Sequence, residues 1–376
     1  MIDDTARRRL LMVGRTRYDL PLSETLARKF DALDTELDVR VLATAGRAGP
    51  ADRRFSLYRR GPFGRLEGAF FYAALPFRVA RELRAFRPDA VLAQGGQETA
   101  LVLVGRALAR SHAKVILDVH GDWRAPTRLY GSPARRVFAP LGDLLARQAV
   151  RRADAVRTIS AYTSGLVRAE GVEPMAVFPA FMDLEPFSSR PPAPLPDEPT
   201  ALFVGVLERY KGVDVLASAW RAVAKRLPGA RLRIVGRGTM AGVSQALAAE
   251  FPQTVRWTPS LPAGEIAAAL DSATVLVLPS RSEGLGRVIV EAFCRGRGVV
   301  GSRVGGIPDL VADGETGLLV APGDARALAD AIVHALDDRA VAVRLGTAAR
   351  AAIDPWLATP EDYARRVREL VDTVCG

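Results

Sequence analysis

The chain has little lysine, little histidine and almost no cysteine. Of 52 basic residues in 376, four are lysines; there are 3 His and 2 Cys. Cys294 and Cys375 show no zinc-ligand spacing, and two thiols build no disulfide framework. No apolar run reaches the ~18 residues of a membrane-spanning helix. The N-terminal MIDDTARRRLLMVG lacks the apolar segment and cleavage site of a secretory signal, so the expectation is a cytoplasmic protein. Walker A and Gly-x-Ser-x-Gly are both absent, which removes P-loop and serine-hydrolase chemistry. The stretch GRGTMAG (236–242) approaches Gly-x-Gly-x-x-Gly but is mis-spaced, so it supports dinucleotide redox chemistry weakly.

What is present is apolar and asymmetrically charged. Hydrophobic residues make up 49%, enough for two cores in a chain of this length. Residues 1–190 hold 31 Lys+Arg against 21 Asp+Glu, and residues 191–376 hold 21 against 21. The whole net charge of +10 therefore sits in the first half, which is the half expected to meet something anionic. A coding preference for Arg over Lys accounts for the ratio between them but not for that asymmetry.

Short apolar runs alternate with amphipathic ones along the chain. RLLMVG, DVRVLA, AVLAQGG, KVILDVHG, AVRTIS and MAVFPA come first, then TALFVGVL, ARLRIVG, TVRW, TVLVLPS, GVVGS and TGLLV. This pattern predicts α/β structure: two Rossmann-like βαβ domains with parallel sheets, facing a cleft. The expected boundaries are an N-terminal Rossmann-like domain at 1–185, a stiff proline-rich linker at 186–199, a second Rossmann-like domain at 200–355 and a terminal segment at 356–376. Ligands are expected at strand carboxyl ends.

One stretch poses a chemical question. PSRSEGLGRVIVEAF (279–293) follows an apolar strand and holds Glu283 and Glu291 around a Gly-x-Gly turn. Gly284 and Gly286 let backbone approach a ligand, and a helix from about Arg287 offers free N–H groups and a positive dipole end. A phosphate suits that end and carboxylates do not. The two acids should then hold a different part of the same ligand, such as vicinal hydroxyls. A ligand with both phosphate and hydroxyl-rich rings is a nucleotide sugar. The bland reading, an N-cap acid and a solvated glutamate, has even odds on this stretch alone. Lys211 before Gly212, at a loop-to-helix junction, adds a point charge suited to a diphosphate.

Glu283-x7-Glu291, GGIPDLV, GETGLLV and VGVLERYKG together resemble the retaining glycosyltransferases of family GT4, with the GT-B fold. The likeness is densest over 200–325 and thinner over 114–185, where VILDVHGDW, RTISAYTSGLV and VFPAFMDLEPF carry it. The resemblance implies that Glu291 holds donor ribose hydroxyls and Glu283 the donor sugar. It implies that Gly284, Leu285 and Gly286 lie along sugar and diphosphate, and that Lys211 stabilises the leaving diphosphate. His120 would face the sugar across the cleft; a lone histidine at a strand end is more often structural, but its setting in DVHGDW reverses that and makes it a catalytic candidate. Gly236 and the segment WTPSL, with Ser260 and Leu261, would line the base pocket. Segment 356–371 would be a helix returning to the N-terminal domain.

Three departures stand out. Val206 occupies the position where the family usually has Arg, leaving Arg209 or Arg237 to replace that charge. The first loop, VGRTRYDLPLSET, has one Gly and two Arg. It makes Arg15, Arg17 and Tyr18, with Gln97 and Glu98, the acceptor-side candidates. Asp309 stands where Glu is usual.

The chain contains no Asp-x-Asp, so the expected reaction needs no metal and no cofactor beyond the nucleotide-sugar co-substrate. The expected function is hexosyl transfer from a UDP- or GDP-linked sugar, with retention by front-face attack. The acceptor is expected to be lipid or lipid-linked, with a soluble sugar or natural product as the alternative. A sugar-nucleotide epimerase of the same fold is a second enzyme reading. A basic nucleic-acid-binding protein is a third, resting on RRFSLYRRGPFGR (53–65), although no nucleic acid is expected as partner. That basic loop, with Arg53, Arg54, Arg59, Arg60 and Arg65, precedes the amphipathic LEGAFFYAALPFRVARELRAF. Together they suggest peripheral contact with an anionic membrane surface at its inner face.

Overall fold

Thirteen strands, all paired in parallel, form two sheets in the computed structural model, which describes residues 7–47, 49–58, 67–124 and 133–376. The strands are β1 (Arg9–Tyr18), β2 (Asp38–Ala45), β3 (Phe55–Tyr58), β4 (Ala90–Gln94), β5 (Lys114–Val119), β6 (Ala155–Thr158) and β7 (Ala176–Val177) in the first sheet. The second has β8 (Thr200–Val204), β9 (Arg231–Val235), β10 (Val255–Thr258), β11 (Val275–Leu278), β12 (Gly298–Ser302) and β13 (Gly317–Val320). Each sheet belongs to its own unit: of the described residues, those up to 124, 133–183 and 358–376 form the first and 184–357 the second.

The strands are apolar on both faces because helices cover both. Along β1, Leu10 and Met12 point to one side and Leu11 and Val13 to the other, all 4% exposed or less. Leu10 and Met12 pack with Phe30 and Leu33 of the helix Glu24–Glu36 and with Tyr363, Val367 and Leu370 of the helix Pro360–Cys375. Leu11 and Val13 pack with Phe71, Leu75 and Val79 of the helix Glu67–Phe86 and Val102 of the helix Gly96–Ala109. The C-terminal helix starts sharply. Thr359 and Asp362 form a reciprocal capping box, with Pro360 at the first helical position.

Strand order places the sites. The first sheet runs β3-β2-β1-β4-β5-β6-β7, and the second β10-β9-β8-β11-β12-β13. In each, the chain moves outward from the first strand, then reverses, opening a crevice at the carboxyl ends where the order switches. In the second unit that crevice lies between β8 and β11, the strands that lead into Lys211 and Glu283.

The proline-rich run is fastened to the second unit. Glu185–Ser188 forms one helical turn. Arg295 then donates to the carbonyls of Phe187, Arg190 and Pro191, Arg297 to those of Ala193 and Pro194, and Arg339 to those of Leu195 and Pro196. Proline leaves carbonyls without matching N–H groups, and three arginine forks satisfy them.

The segment read as a basic, aromatic surface is divided. Phe55 packs edge-on against Phe30, with centroids 4.9 Å apart, so it presents no ring to a nucleic acid. Arg53 pairs with Asp34, and Arg54 with Asp31 and Asp52. Arg59, Arg60 and Arg65 lie outside the described residues. Of the apolar residues read on the following helix, Phe71 and Leu75 are core, while Phe70 and Phe77 are 50% and 69% exposed. Among the described residues no helix is long and apolar enough to cross a membrane.

Candidate active site

In the second unit three loops meet at the switch point. After β8, a single 3-10 turn, Arg209–Lys211, ends at Gly212, whose φ of 69° caps the helix Val213–Arg226. A Cβ on Gly212 would lie 1.9 Å from the carbonyl oxygen of Pro279, so only glycine lets this loop touch the one after β11. Arg281 locks the contact. It donates two parallel bonds of 2.7 Å to Asp214, one of 2.8 Å to the Arg209 carbonyl, and its own N–H bonds the Tyr210 carbonyl. That fork, foremost, holds the Asp214 carboxyl below its usual range.

Lys211 Nζ donates to Glu283 Oε2 across the crevice, and both side chains are 13% exposed. Behind Glu283, the loop after β12 presses Gly305 and Gly306 against the backbone. A Cβ on Gly305 would meet the Glu283 carbonyl oxygen at 1.9 Å, and one on Gly306 would meet that of Gly284 at 2.3 Å. The Gly306 N–H donates to the Glu283 carbonyl at 3.0 Å. The glycine pair of GGIPD thus sets the position of Glu283. Asp309 lies in the helical turn that follows.

Gly286 adopts φ 91° and starts the helix Arg287–Cys294. Glu291 lies one turn along it, half-buried, and accepts no hydrogen bond from any described residue. Burial pushes its carboxyl above the ordinary value, with Arg287 pulling weakly the other way. A half-buried carboxylate that no described residue serves is open to donors from elsewhere, which ligand hydroxyls can supply. Leu285 is buried beneath the turn.

The loop after β9 flanks these groups. The Leu207 N–H bonds the Arg237 carbonyl at 2.9 Å, Thr239 donates twice to Glu208, and the Trp257 indole donates to the Gly236 carbonyl at 2.9 Å. Arg209 and Arg237 are exposed and make no ion pair among the described residues, and Val206 is 45% exposed beside them. Ser260 is exposed and Leu261 half-buried, both beyond the end of β10.

In the first unit, His120 follows β5 and its Nε2 lies 2.7 Å from Asp118 Oδ2. The other oxygen of Asp118 accepts from Arg157 at 2.5 Å, and Arg157 also donates to the Phe178 and Pro179 carbonyls, each at 2.8 Å. Asp118 and Arg157 are both fully buried. Burial alone would raise the Asp118 carboxyl; Arg157 first and His120 next overcome it and hold it well below the carboxylate range. An ionised carboxylate only accepts, so Nε2 carries the proton and a neutral ring presents Nδ1 as its lone pair. Sequence reading singled out His120 but missed Asp118 and Arg157. The visible signal was an acid two residues before the histidine in a strand and an arginine inside the next strand.

The acceptor-side candidates separate. Arg15 stacks 5.7 Å from the Tyr72 ring, and Tyr72 donates to Glu98 at 2.9 Å, so Arg15 and Glu98 share one cluster. Burial pushes Glu98 up, against the Tyr72 hydroxyl and Arg15. Tyr72 was missed because its helix was read as an amphipathic membrane-contact segment. Arg17 is exposed and Gln97 half-buried, outside that cluster. Tyr18 is a correction: its ring is 6% exposed, 5.8 Å from Phe30 and 5.1 Å from Phe55, and burial lifts its hydroxyl to about 12. It is a core residue.

Residues 198–338 match the family described as glycosyl transferases group 1, and residues 23–180 the glycosyl transferase 4-like domain. Over 296 residues the chain is 31% identical to glycogen synthase of Mycobacterium tuberculosis, spanning 75% of this chain and 68% of that protein. It is 39% identical over 155 residues to D-inositol 3-phosphate glycosyltransferase of Corynebacterium aurimucosum, covering 39% of this chain and only 37% of that protein's length. Among solved structures, sucrose-phosphate synthase from Thermosynechococcus elongatus aligns with a TM-score of 0.77 at 22% identity, covering 98% of this chain and 99% of that one, a likeness of fold. The chain belongs to the group 1 (GT4) glycosyltransferases and is a transferase of the GT-B fold.

Proposed function

We propose that the chain transfers a hexosyl group from a nucleoside-diphosphate sugar to an acceptor hydroxyl, with retention at the anomeric carbon and without a divalent metal. The observation that carries this reading is the half-buried Glu291 carboxylate, which accepts from no described residue and lies one turn inside a helix whose start is flanked by the Lys211–Glu283 pair.

Glu291 accepts from the ribose diol. The free N–H groups at Gly286 and Arg287 face the diphosphate, and Lys211 adds the charge that grows as it leaves. Arg209 or Arg237, unpaired at the rim, stands in for the charge that Val206 lacks. Lys211 and Glu283 hold one another in the structure. With donor bound, Lys211 turns to phosphate and Glu283 to sugar hydroxyls. The acceptor oxygen bonds to the anomeric carbon as the bond to the diphosphate oxygen breaks on the same face. The acceptor proton passes to the departing phosphate oxygen. His120, held by Asp118, is the group of the first unit assigned to catalysis. The acceptor is lipid or lipid-linked; the basic first half and the exposed Phe70 and Phe77 support that class.

The test is donor affinity and turnover in Glu291→Ala and Glu283→Ala, with and without EDTA. Loss of a charge-assisted pair of hydrogen bonds costs about 3 kcal/mol, so E291A should bind donor roughly a hundredfold more weakly. E283A should lose mainly turnover, and EDTA should change neither. Wild-type donor binding and rate in both variants would remove the reading.

A further inference from the structure

Most arginines of the first unit are matched by acids: Arg28 by Asp183, Arg40 by Glu82, Arg54 by Asp31 and Asp52, Arg106 by Asp154. At one edge of the sheet several basic residues gather with few acids. A cavity of about 520 Å³ opens at the edge where β4 and β5 begin, and its walls include Arg8, Arg84, Arg87, Arg110, His112 and Lys114. Its single acid, Asp89, is already engaged by the Arg9 backbone N–H at 2.7 Å. Arg87, Arg110 and Lys114 are exposed and make no ion pair or hydrogen bond through their side chains with any described residue. Arg84 reaches only the Leu108 carbonyl, and Arg8 donates to the Gly376 carbonyl at 3.3 Å and lies 3.8 Å from Asp372.

Two helix ends lie here, at Phe86 and Ala109, and their carbonyl poles attract cations. Together they amount to about one negative charge, too little to account for Arg84, Arg87, Arg110 and Lys114. Arg87 and Arg110 are also the only non-glycine residues with positive φ among those described, at 50° and 52°. Glycine or asparagine takes that conformation with less strain, and the chain carries arginine at both places. Lys114 begins β5 and His120 follows its end, about 20 Å away at the strand rise, so this cavity is not the carboxyl-end crevice.

We infer that this cavity is a second anion site, for a ligand bearing phosphate. Guanidinium forks match phosphate oxygens in pairs, and several unpaired cations suit a ligand with more than one negative charge. The volume admits an organic diphosphate or a phospholipid headgroup; both present the same chemistry.

The test uses the full-length chain and the variant Arg87→Asn, Arg110→Asn, Lys114→Gln, since asparagine accepts positive φ. Inorganic pyrophosphate is titrated calorimetrically into wild type, the triple variant and Lys211→Ala. Phosphatidylcholine vesicles, with and without phosphatidylglycerol, are sedimented with the same proteins. The expected result is a pyrophosphate binding event kept in K211A and weakened at least tenfold in the triple variant. Vesicle binding that needs phosphatidylglycerol and is lost in the triple variant would instead assign the site to a headgroup. Equal behaviour of wild type and triple variant in both measurements overturns the inference.

Discussion

Two carboxyl groups in this chain pull stability in opposite directions with pH. The Glu291 carboxyl is raised, so the folded protein holds its proton to higher pH than the unfolded chain does. Folding stability therefore falls as pH rises from the ordinary glutamate range through the raised value. Glu291→Gln removes that loss. The unfolding midpoint of E291Q should exceed wild type increasingly as pH rises across that window, while donor binding is lost; parallel midpoints would contradict the account. Asp118 has the reverse sign. Its carboxyl is depressed, so its stabilisation is present above the ordinary aspartate range and disappears as pH falls through the depressed value. Asp118→Asn leaves the buried Arg157 without its counter-charge, at a cost of about 3–5 kcal/mol to the first unit. His120, 40% exposed, should behave differently: His120→Ala should slow turnover with little change in the denaturation midpoint.

At the scale of the element, the site is made by close approaches between loops, and glycine is the residue that permits them. Gly305 and Gly314 both have positive φ, yet a Cβ on Gly305 would collide with the Glu283 carbonyl while one on Gly314 would meet nothing within 4 Å. Gly314→Ala should cost about 1 kcal/mol of backbone strain and leave the donor KM unchanged. Gly305→Ala must move the Glu283 loop, and should raise the donor KM at least tenfold; equal effects of the two substitutions would show that strain alone matters. The strands, the intervening helices and the turn before Arg287 were legible because periodicity and glycine spacing are local signals. The strap of the proline-rich run was not, because Arg295, Arg297 and Arg339 come from more than a hundred residues along the chain. Asp118 and Arg157 were missed for the same reason, being 39 residues apart. Tyr18 looked like a site residue by its place in the first loop; only tertiary packing with Phe30 and Phe55 buries it.

Across the whole molecule, the two units depend on sequence differently. The described residues of the second form one run, 184–357, whereas the first is completed by residues 358–376. The helix Pro360–Cys375 contributes Tyr363, Ala364, Val367, Leu370 and Val371 to the core shared with Phe30, Leu33 and Leu37. At about 1.5–3 kcal/mol for each large buried side chain, four of these supply on the order of 10 kcal/mol, as much as a typical domain's entire net stability. Lys29 adds a contact 5.3 Å from the Tyr363 ring, and Arg368 pairs with Glu36. Removing the last eighteen residues should therefore unfold the first unit and spare the second, whose core contains none of them. Calorimetry of the shortened chain should show the second unit's transition alone, and donor-induced stabilisation of that transition should survive. Retention of a cooperative transition for the first unit would mean that the helix covers a core able to stand without it.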